Sequence, residues 1–472
     1  MKKAVIFFLA LSAAGSIYAQ KNFEGTWQGT LNAGISLRIV FHITSHENVY
    51  SSTMDSPDQS VSGIACDSTT ADDADIRIVL SKAGVVYTGS ISGKEKIKGT
   101  FFQRGMSFSL ELKKLGTDSV QPLNRPQTPK GPFPYKSMDV EYDNADRSLH
   151  YGATITIPEG SGPHPAILLI TGSGAQDRDE TILGHKSFAV IADHLTRKGY
   201  IVMRVDDRGI GKSTGVFSKS TSEDFAKDVN TSIDYLKTVN GVDKNKIGLI
   251  GHSEGGMIAP VVAAERNDIN FIVLLAGPGV KITELMTEQN AAMYASAGVN
   301  ENAVSALKPL YKEIAGRIMA APDTATAYRN AYNYFTEWAM KEATKTLRQL
   351  DFDSDEKRSK YIHTMVGQLS SPWFKYFMAF DPAPYLEKLH CKVLALNGSR
   401  DIQVIASKNL PGIETALKKA GVKDYEIKEL HGLNHLFQTC KECTVAEYGK
   451  LEETFSPAAL DVITEWLNKH VK

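Results

Sequence analysis

The chain has 472 residues, which is too long for one ordinary domain and predicts two or three. Apolar residues make up 42% and charged residues 23% of the chain, the usual balance of a globular protein. The formal net charge is -1, so no basic excess points to nucleic acid or to an anionic membrane surface, and a small-molecule substrate is the expectation.

Residues 1–19 have the pattern of a secretory signal peptide. Two lysines precede an apolar run at 4–14, and the small residue Ala19 stands before Gln20. The run is too short to span a bilayer, and no later stretch is long and apolar enough to be a transmembrane helix. We therefore expect cleavage after Ala19 and a secreted or periplasmic protein without a membrane span.

Residues 20–115 predict a small antiparallel β domain. Strand-like runs such as 36–43, 85–91 and 97–102 are separated at close intervals by Gly, Asp and Ser. Short, evenly spaced strands are typical of a barrel or sandwich. Five prolines then crowd into 116–135, which excludes a helix and predicts an extended linker.

Residues 136–472 predict an α/β domain with a helical cap. Apolar runs such as 166–170, 247–250 and 393–396 alternate with helical stretches, which indicates a parallel sheet covered on both faces. Between 281 and 385 the alternation gives way to helix-rich sequence with Met and aromatic residues. We interpret this block as a cap over the site, whose aromatic residues line the cap or form its core.

The segment Gly251-His252-Ser253-Glu254-Gly255 fits the pattern G-x-S-x-G. It follows the apolar run at 246–250 and leads into a helical stretch, so it predicts the strand–turn–helix of a nucleophile elbow. The glycines permit a sharp turn, and the serine lies at a helix N-terminus, where developing negative charge is favoured. We expect Ser253 to be the nucleophile; the alternative is a structural Gly-Ser-Gly turn.

A serine hydroxyl needs a histidine base, which is oriented by an acid. When the serine lies on a strand–turn–helix of this kind, the acid follows it along the chain and the histidine follows the acid. His435 is preferred because it lies in a flexible loop after the strand that ends at Leu430, whereas His431 directly abuts that strand. The other candidates are less well placed: His363 in the cap, His390 before a strand and His470 at the end of the last helix.

Asp401 is the predicted acid. It stands in a loop after the strand 393–396, where a carboxylate would hold the imidazole tautomer and stabilise the imidazolium. Its alternative is a solvated loop aspartate. Asp381 competes, but it precedes Pro382 at the end of the cap, and the strand that ends at Leu275 is followed by no carboxylate.

The oxyanion of an acyl-transfer reaction needs two backbone N–H donors. We expect one from Glu254 and the other from the loop 171–176, with Ser173 as first choice and Gly174 as second. Neither G-x-G-x-x-G nor a Walker lysine is present there, so the loop is not interpreted as a phosphate cradle. Residues 206–213, after another strand, are interpreted as a structural loop beside the site.

The four cysteines are Cys66, Cys391, Cys440 and Cys443. The last two have the C-x-x-C spacing of redox motifs, but they lie in a loop and not at the start of a βαβ unit, which disfavours a redox role; zinc is disfavoured too. They form either a local disulfide or two free thiols.

Three segments together resemble bacterial α/β-hydrolases of the serine aminopeptidase and EstD-like esterase group: TGSGAQDRDE at 171–180, DRGIG at 207–211 and GHSEGG at 251–256. The resemblance covers about 136–472. It implies an α/β-hydrolase fold, carboxylesterase activity on short acyl chains and no cofactor. The start of the β domain, Gly25-Thr26-Trp27, resembles a lipocalin-like barrel. Because the cap is long, substrate choice does not carry over.

The leading hypothesis is therefore a serine hydrolase of small esters that works through an acyl-enzyme. A serine peptidase acting on short peptides is the second hypothesis, since the same three side chains serve both reactions. A third, from another class, is a binding protein whose β domain holds a hydrophobic ligand or a glycan while the hydrolase part is inactive.

Overall fold

The structure, a computed structural model, describes residues 23–32, 36–46, 49–57, 61–72, 74–93, 95–103, 106–116 and 124–472. The predicted signal peptide, 1–19, lies outside these residues. The chain divides into two compact units between Pro122 and Leu123.

The first unit is an antiparallel sheet whose nine strands among the described residues run in the order β4-β3-β2-β1-β9-β8-β7-β6-β5. A hydrogen bond of 2.7 Å between the hydroxyls of Ser52 on β3 and Thr69 on β5 joins the last strand of this order to the second, so the sheet curls round. The strands are β1 Gly25–Asn32, β2 Ser36–His46, β3 Val49–Ser56, β4 Val61–Ala65, β5 Ser68–Ala71, β6 Asp75–Leu80, β7 Val85–Ile91, β8 Lys96–Gln103 and β9 Met106–Leu115.

Large aromatic residues fill the core of this unit, among them Trp27, Phe41 and Tyr87, each 1% exposed or less. The predicted barrel-like β domain is confirmed. Sequence analysis did not identify β3, β4 and β5, which are rich in Ser and Thr and contain no long apolar run. Their backbone pairing, and not their hydrophobicity, makes them strands.

The second unit contains an eight-stranded mixed sheet in the order β10-β11-β15-β12-β16-β17-β18-β19, and a two-stranded hairpin, β13-β14. The strands from β15 through β19 in this order are parallel, while β10, β11 and β15 pair antiparallel. The bounds are β10 Tyr135–Asp143, β11 His150–Pro158, β12 His164–Ile170, β13 Thr181–Ile182, β14 His185–Lys186, β15 Ile201–Val205, β16 Val242–His252, β17 Ile269–Leu275, β18 Lys392–Gly398 and β19 Tyr425–Leu430.

Helices cover this sheet, and their ends follow local sequence signals. Thr221 and Asp224 form a capping box that starts α2, and Gly421, at φ 75°, ends α11 in the left-handed conformation. The helices outside the cap are α1 Ser187–Arg197, α2 Ser222–Leu236, α3 Glu254–Glu265, α11 Ala406–Ala420 and α12 Pro457–His470.

The helix-rich block predicted at 281–385 is helical. Its elements are α4 Ile282–Ser296, α5 Glu301–Ala320, α6 Thr324–Lys341, α7 Thr344–Gln349, α8 Asp355–Leu369, α9 Pro372–Ala379 and α10 Ala383–Leu386. Phe335, Phe352 and Tyr361 pack edge to face and form the interior of this block. None of the helices in the described part of the chain is long and apolar enough to cross a membrane.

The described part of the predicted linker is bound to the second unit. The Arg125 guanidinium donates hydrogen bonds of 2.8–2.9 Å to the carbonyls of Leu183, Gly449 and Leu451. Strand β10, which sequence analysis did not identify, begins at Tyr135, the last residue of the predicted linker. Because β10 is an edge strand, it buries only some of its residues and has no continuous apolar run.

Candidate active site

The loops that carry the predicted site residues all leave the same edge of the sheet. Parallel pairing places Ile170 beside Gly251, Leu275 beside Leu396 and Gly398 beside Leu430, so these strands end at similar levels. The loops after β12, β16, β18 and β19 therefore start close together, where α/β sheets bind their ligands.

Ser253 lies between β16 and α3 with φ 52° and ψ -112°, a strained conformation for a non-glycine residue. Its N–H donates to the carbonyl of Leu275 at 2.8 Å. A Cβ atom at Gly251 would overlap the carbonyl of Gly255, and one at Gly255 would overlap the carbonyl of Ile170. The glycines of the motif are thus required by close backbone contact, and the predicted strand–turn–helix is present.

The structure brings Asp401 and His435 together. Nδ1 of His435 lies 2.8 Å from Oδ2 of Asp401, and each residue is 4% exposed. Asp401 also accepts the N–H groups of Gln403 at 2.7 Å and Val404 at 2.9 Å, and the side-chain amide of Asn397 at 3.1 Å. These donors fix the orientation of the carboxylate, which in turn fixes the imidazole.

The alternative candidates have other surroundings. His431 is exposed, and Asp381 accepts the N–H of Ala383 at the start of α10. Nδ1 of His470 lies 2.7 Å from Asp424. The two remaining histidines are exposed: His363, whose ring packs on Tyr328, and His390.

The predicted oxyanion donors lie on two of the converging loops. Glu254 is the first residue of α3, where backbone N–H groups have no partner inside the helix. In the loop 171–176, the N–H of Gly172 donates to Glu180 at 2.8 Å, which leaves the amides of Ser173 and Gly174 as the predicted donors. Gly174 has φ 103°, a conformation that favours glycine.

The side chain of Glu254 connects the cap to the elbow at Ser253. It is 3% exposed, and its Oε1 accepts the Ser222 hydroxyl at 2.6 Å and the indole N–H of Trp373, on α9, at 2.8 Å. Burial raises the pKa of the Glu254 carboxyl. Sequence analysis considered only the backbone of Glu254, because Trp373 is 119 positions away along the chain.

Asp207 braces the loop 171–176 from the neighbouring strand end. Its carboxyl accepts the N–H of Gln176 at 2.8 Å and the hydroxyl of Thr171 at 2.7 Å. Burial, together with the nearby charges of Glu254 and Glu180, raises the pKa of Asp207 to about 8. The segment 206–213, interpreted from sequence as a structural loop, therefore contains a carboxyl that is in direct contact with the predicted oxyanion loop.

A second buried histidine–carboxylate pair adjoins the first, and sequence analysis missed it. Nδ1 of His252 lies 2.9 Å from Oε1 of Glu180, and Nε2 of His252 lies 3.0 Å from the carbonyl oxygen of His435. Burial, the largest influence, acts to lower the pKa of His252, but the Glu180 carboxylate, the His435 carbonyl and the charge of Asp401 together outweigh it, so the pKa is raised. The available signals were the acidic residue at the end of TGSGAQDRDE and the histidine inside the G-x-S-x-G motif.

Cys440 and Cys443 are joined in a disulfide, which decides between the two alternatives that the sequence left open. Glu447 lies beside them, and the three side chains form the one group of potential metal ligands found among the described residues. Both sulfur atoms are used in the S–S bond, and Glu447 accepts the N–H of Cys443 at 2.7 Å. This group therefore stabilises the loop locally.

A nucleophile elbow on a central parallel strand, with acid and base loops after the next strands, is the arrangement of an α/β-hydrolase. This chain has the α/β-hydrolase fold and is, by class, a serine hydrolase. The family model described as serine aminopeptidase, S33, matches residues 185–363. Esterase EstD of Thermotoga maritima is 27% identical over 376 residues, which cover 79% of this chain and 74% of that protein. The predicted resemblance to EstD-like hydrolases is confirmed.

Two more distant similarities accompany these. An uncharacterized 31.7 kDa protein of Escherichia coli is 22% identical over 333 residues, which cover 69% of this chain and 99% of that protein. Among solved structures, an esterase of Pyrococcus furiosus aligns with a TM-score of 0.43 at 14% identity, covering 75% of this chain and 99% of that one.

Proposed function

We propose that this chain hydrolyses short-chain carboxylic esters, with Ser253 as nucleophile, His435 as base and Asp401 as acid. The observation that carries the proposal is the buried 2.8 Å contact between Asp401 and His435 at the sheet edge where Ser253 adopts its strained elbow. The similarity to Esterase EstD supports an ester as the substrate.

In the first half-reaction, Nε2 of His435 takes the proton of the Ser253 hydroxyl while Oγ attacks the ester carbonyl. Asp401 keeps Nδ1 of the imidazole protonated and stabilises the imidazolium. The N–H of Glu254, with that of Ser173 or Gly174, stabilises the oxyanion. His435 then gives its proton to the departing alcohol, and an acyl-serine remains.

In the second half-reaction, a water molecule attacks the acyl-serine. His435 again accepts a proton, now from the water, and the collapse of the second tetrahedral intermediate returns the proton to Ser253 and releases the carboxylic acid. The indole N–H of Trp373 donates to the side chain of Glu254, and the rings of Phe374 and Phe377 pack on the indole. Aromatic surface therefore lies beside the residue that follows Ser253, which supports an apolar group in the substrate.

The test is hydrolysis of p-nitrophenyl acetate, butyrate and longer esters by the purified full chain and by Ser253→Ala. We expect short esters to be the best substrates, and kcat/KM to fall at least about a thousandfold in the variant because the nucleophile is lost. His431→Gln is the matched control: His431 is exposed on the same loop as His435, and this variant should keep wild-type kcat/KM. Wild-type turnover by Ser253→Ala would refute the proposal.

A serine peptidase is the second candidate, and the match to the family described as serine aminopeptidase favours it. The two activities separate when one aminoacyl group is presented as a p-nitrophenyl ester and as a p-nitroanilide. An esterase should prefer the ester by several orders of magnitude in kcat/KM. Comparable cleavage of the anilide would assign the chain to the peptidases.

We also propose that the protein acts outside the cytoplasm. The disulfide between Cys440 and Cys443 supports this, because disulfides persist in oxidising compartments. Fractionation of the expressing cell, with the N-terminal residue read by mass spectrometry, tests it. A mature chain that begins at Gln20 in the periplasm or medium is expected, and an uncut cytoplasmic chain would contradict it.

A further inference from the structure

We propose that Glu180 and His252 are positioning residues, which together hold the loop 171–176 and the loop that carries His435 in register with Ser253. This inference rests on the proposed function, because it assigns to the pair the task of placing the oxyanion donors and the base. Neither side chain takes part in the proton transfers.

The hydrogen bonds of the pair reach three separate loops. Oε1 of Glu180 accepts the N–H of Gly172, in the loop after β12, at 2.8 Å, and the same oxygen lies 2.9 Å from Nδ1 of His252. His252 directly precedes Ser253, and its Nε2 lies 3.0 Å from the carbonyl oxygen of His435. A continuous chain of hydrogen bonds therefore links the predicted oxyanion loop, the elbow and the base loop.

Burial makes this chain rigid. Glu180 is 1% exposed and His252 is 5% exposed, so water cannot readily replace either partner. If one partner of a buried ion pair is replaced by a neutral residue, the other is left as an uncompensated buried charge, which is strongly unfavourable. The two side chains are therefore expected to act as a unit, so that substitution of either one abolishes the contribution of both.

The protonation state of the pair follows from the number of donors. Both ring nitrogens of His252 face acceptors, the carboxylate of Glu180 and the carbonyl of His435. A neutral imidazole has one N–H and can satisfy one of them, whereas an imidazolium has two and satisfies both. The negative charge of Glu180 thus supports the hydrogen bond to His435, although Glu180 itself does not contact His435.

The variant Glu180→Gln tests this coupling with almost no change in shape. Its neutral amide no longer favours the imidazolium, so one hydrogen bond of the chain is lost in either orientation of the amide. If its oxygen faces Nδ1, His252 loses the bond to His435, and if its NH2 faces Nδ1, the N–H of Gly172 loses its acceptor. We expect kcat for p-nitrophenyl butyrate to fall about 10- to 100-fold while KM stays within about threefold, because displacement of catalytic groups by fractions of an ångström slows the chemical step. His252→Gln should have an effect of the same size.

A double-mutant cycle separates positioning from independent structural damage. Because the residues act through one chain of hydrogen bonds, the variant that combines Glu180→Gln and His252→Gln should be no slower than the worse single variant. Glu180→Asp retains the charge and should keep more of kcat than Glu180→Gln; it also serves if the amide variant does not fold.

The control is His194→Ala, which removes a 2.8 Å hydrogen bond to Thr464 between α1 and α12. It should lower the unfolding temperature and leave kcat unchanged. The inference is overturned if Glu180→Gln has wild-type kcat, if the two single effects multiply in the double variant, or if Glu180→Asp is the slower of the two Glu180 variants. Ser253→Ala in the same assay separates the failures: if it retains wild-type turnover, the proposed function itself fails.

Discussion

Two buried histidine–carboxylate pairs lie side by side in this protein, with the imidazole centroids 4.9 Å apart. The N–O distances are nearly equal, 2.8 Å for His435 with Asp401 and 2.9 Å for His252 with Glu180. The second ring nitrogen distinguishes them. Nε2 of His252 is bound to a backbone carbonyl, while Nε2 of His435 makes no hydrogen bond within the described part of the chain.

The comparison teaches that a neighbouring carboxylate does not by itself make a histidine a base. A ring with both nitrogens engaged has no site at which to accept a proton, so it can only hold other groups in place. A ring with one nitrogen fixed by an acid and the other unengaged can transfer a proton between a hydroxyl and a leaving group. The same two residue types therefore support two different tasks.

Among the variants that test the different roles of the two pairs, Asp401→Asn is expected to have the largest effect on kcat. The amide can present its N–H to Nδ1 of His435, which would move the ring proton to Nε2 and leave no base for Ser253. We expect kcat for p-nitrophenyl butyrate to fall about a thousandfold or more, well beyond the loss in Glu180→Gln. If Asp401→Asn were the milder of the two, the roles assigned to the two pairs would be reversed.

Two other buried carboxyls, Asp207 and Glu254, accept hydroxyl and N–H donors and have no histidine partner among the residues that the structure describes. Without a described cation beside them, burial raises their pKa values. The pKa of Asp207 in the folded chain, about 8, exceeds the unfolded value, so the folded state keeps a proton that the unfolded state loses. The stability that this group contributes is fully present below the unfolded pKa and is lost as the pH rises through 8.

Asp207→Asn should remove that pH dependence, because an amide offers the same one acceptor and one donor side as a neutral carboxyl. Relative to the wild type, the variant should gain about 1.4 kcal/mol in unfolding free energy per pH unit between about pH 5 and about pH 8, because the wild type loses that much stability per unit there. Urea unfolding at the two pH values measures this. A difference that is constant with pH would show that Asp207 is ionised throughout.

The smallest effect is expected where the cap meets Glu254. Trp373→Phe keeps the aromatic stacking on Phe377 but removes the indole N–H that Glu254 accepts. Loss of one hydrogen bond of about 1 kcal/mol should raise KM about three- to fivefold with little change in kcat, because α9 is held less firmly over the site. Trp338→Phe, inside the cap, is the control and should leave KM unchanged; equal effects of the two variants would remove the link to Glu254.

Much of the fold followed from local pattern. The predicted strands at 166–170, 247–250 and 393–396 lie within β12, β16 and β18, because near-continuous apolar runs are typical of parallel strands that are buried on both faces. The strands β3, β4, β5 and β10 were missed because partners elsewhere in the chain pair their polar backbones. The sequence of a strand by itself does not show which distant strand will pair with it.

For the candidate site, the sequence by itself determined the elbow, since the glycines around Ser253 are demanded by backbone contacts within a few residues. It also selected Asp401 and His435, because side chains that follow successive parallel strands reach one edge. Only the tertiary structure decided which buried polar groups meet. Glu180 with His252, and Trp373 with Glu254, join positions 72 and 119 apart, and such pairs depend on how loops and cap pack and not on local propensity.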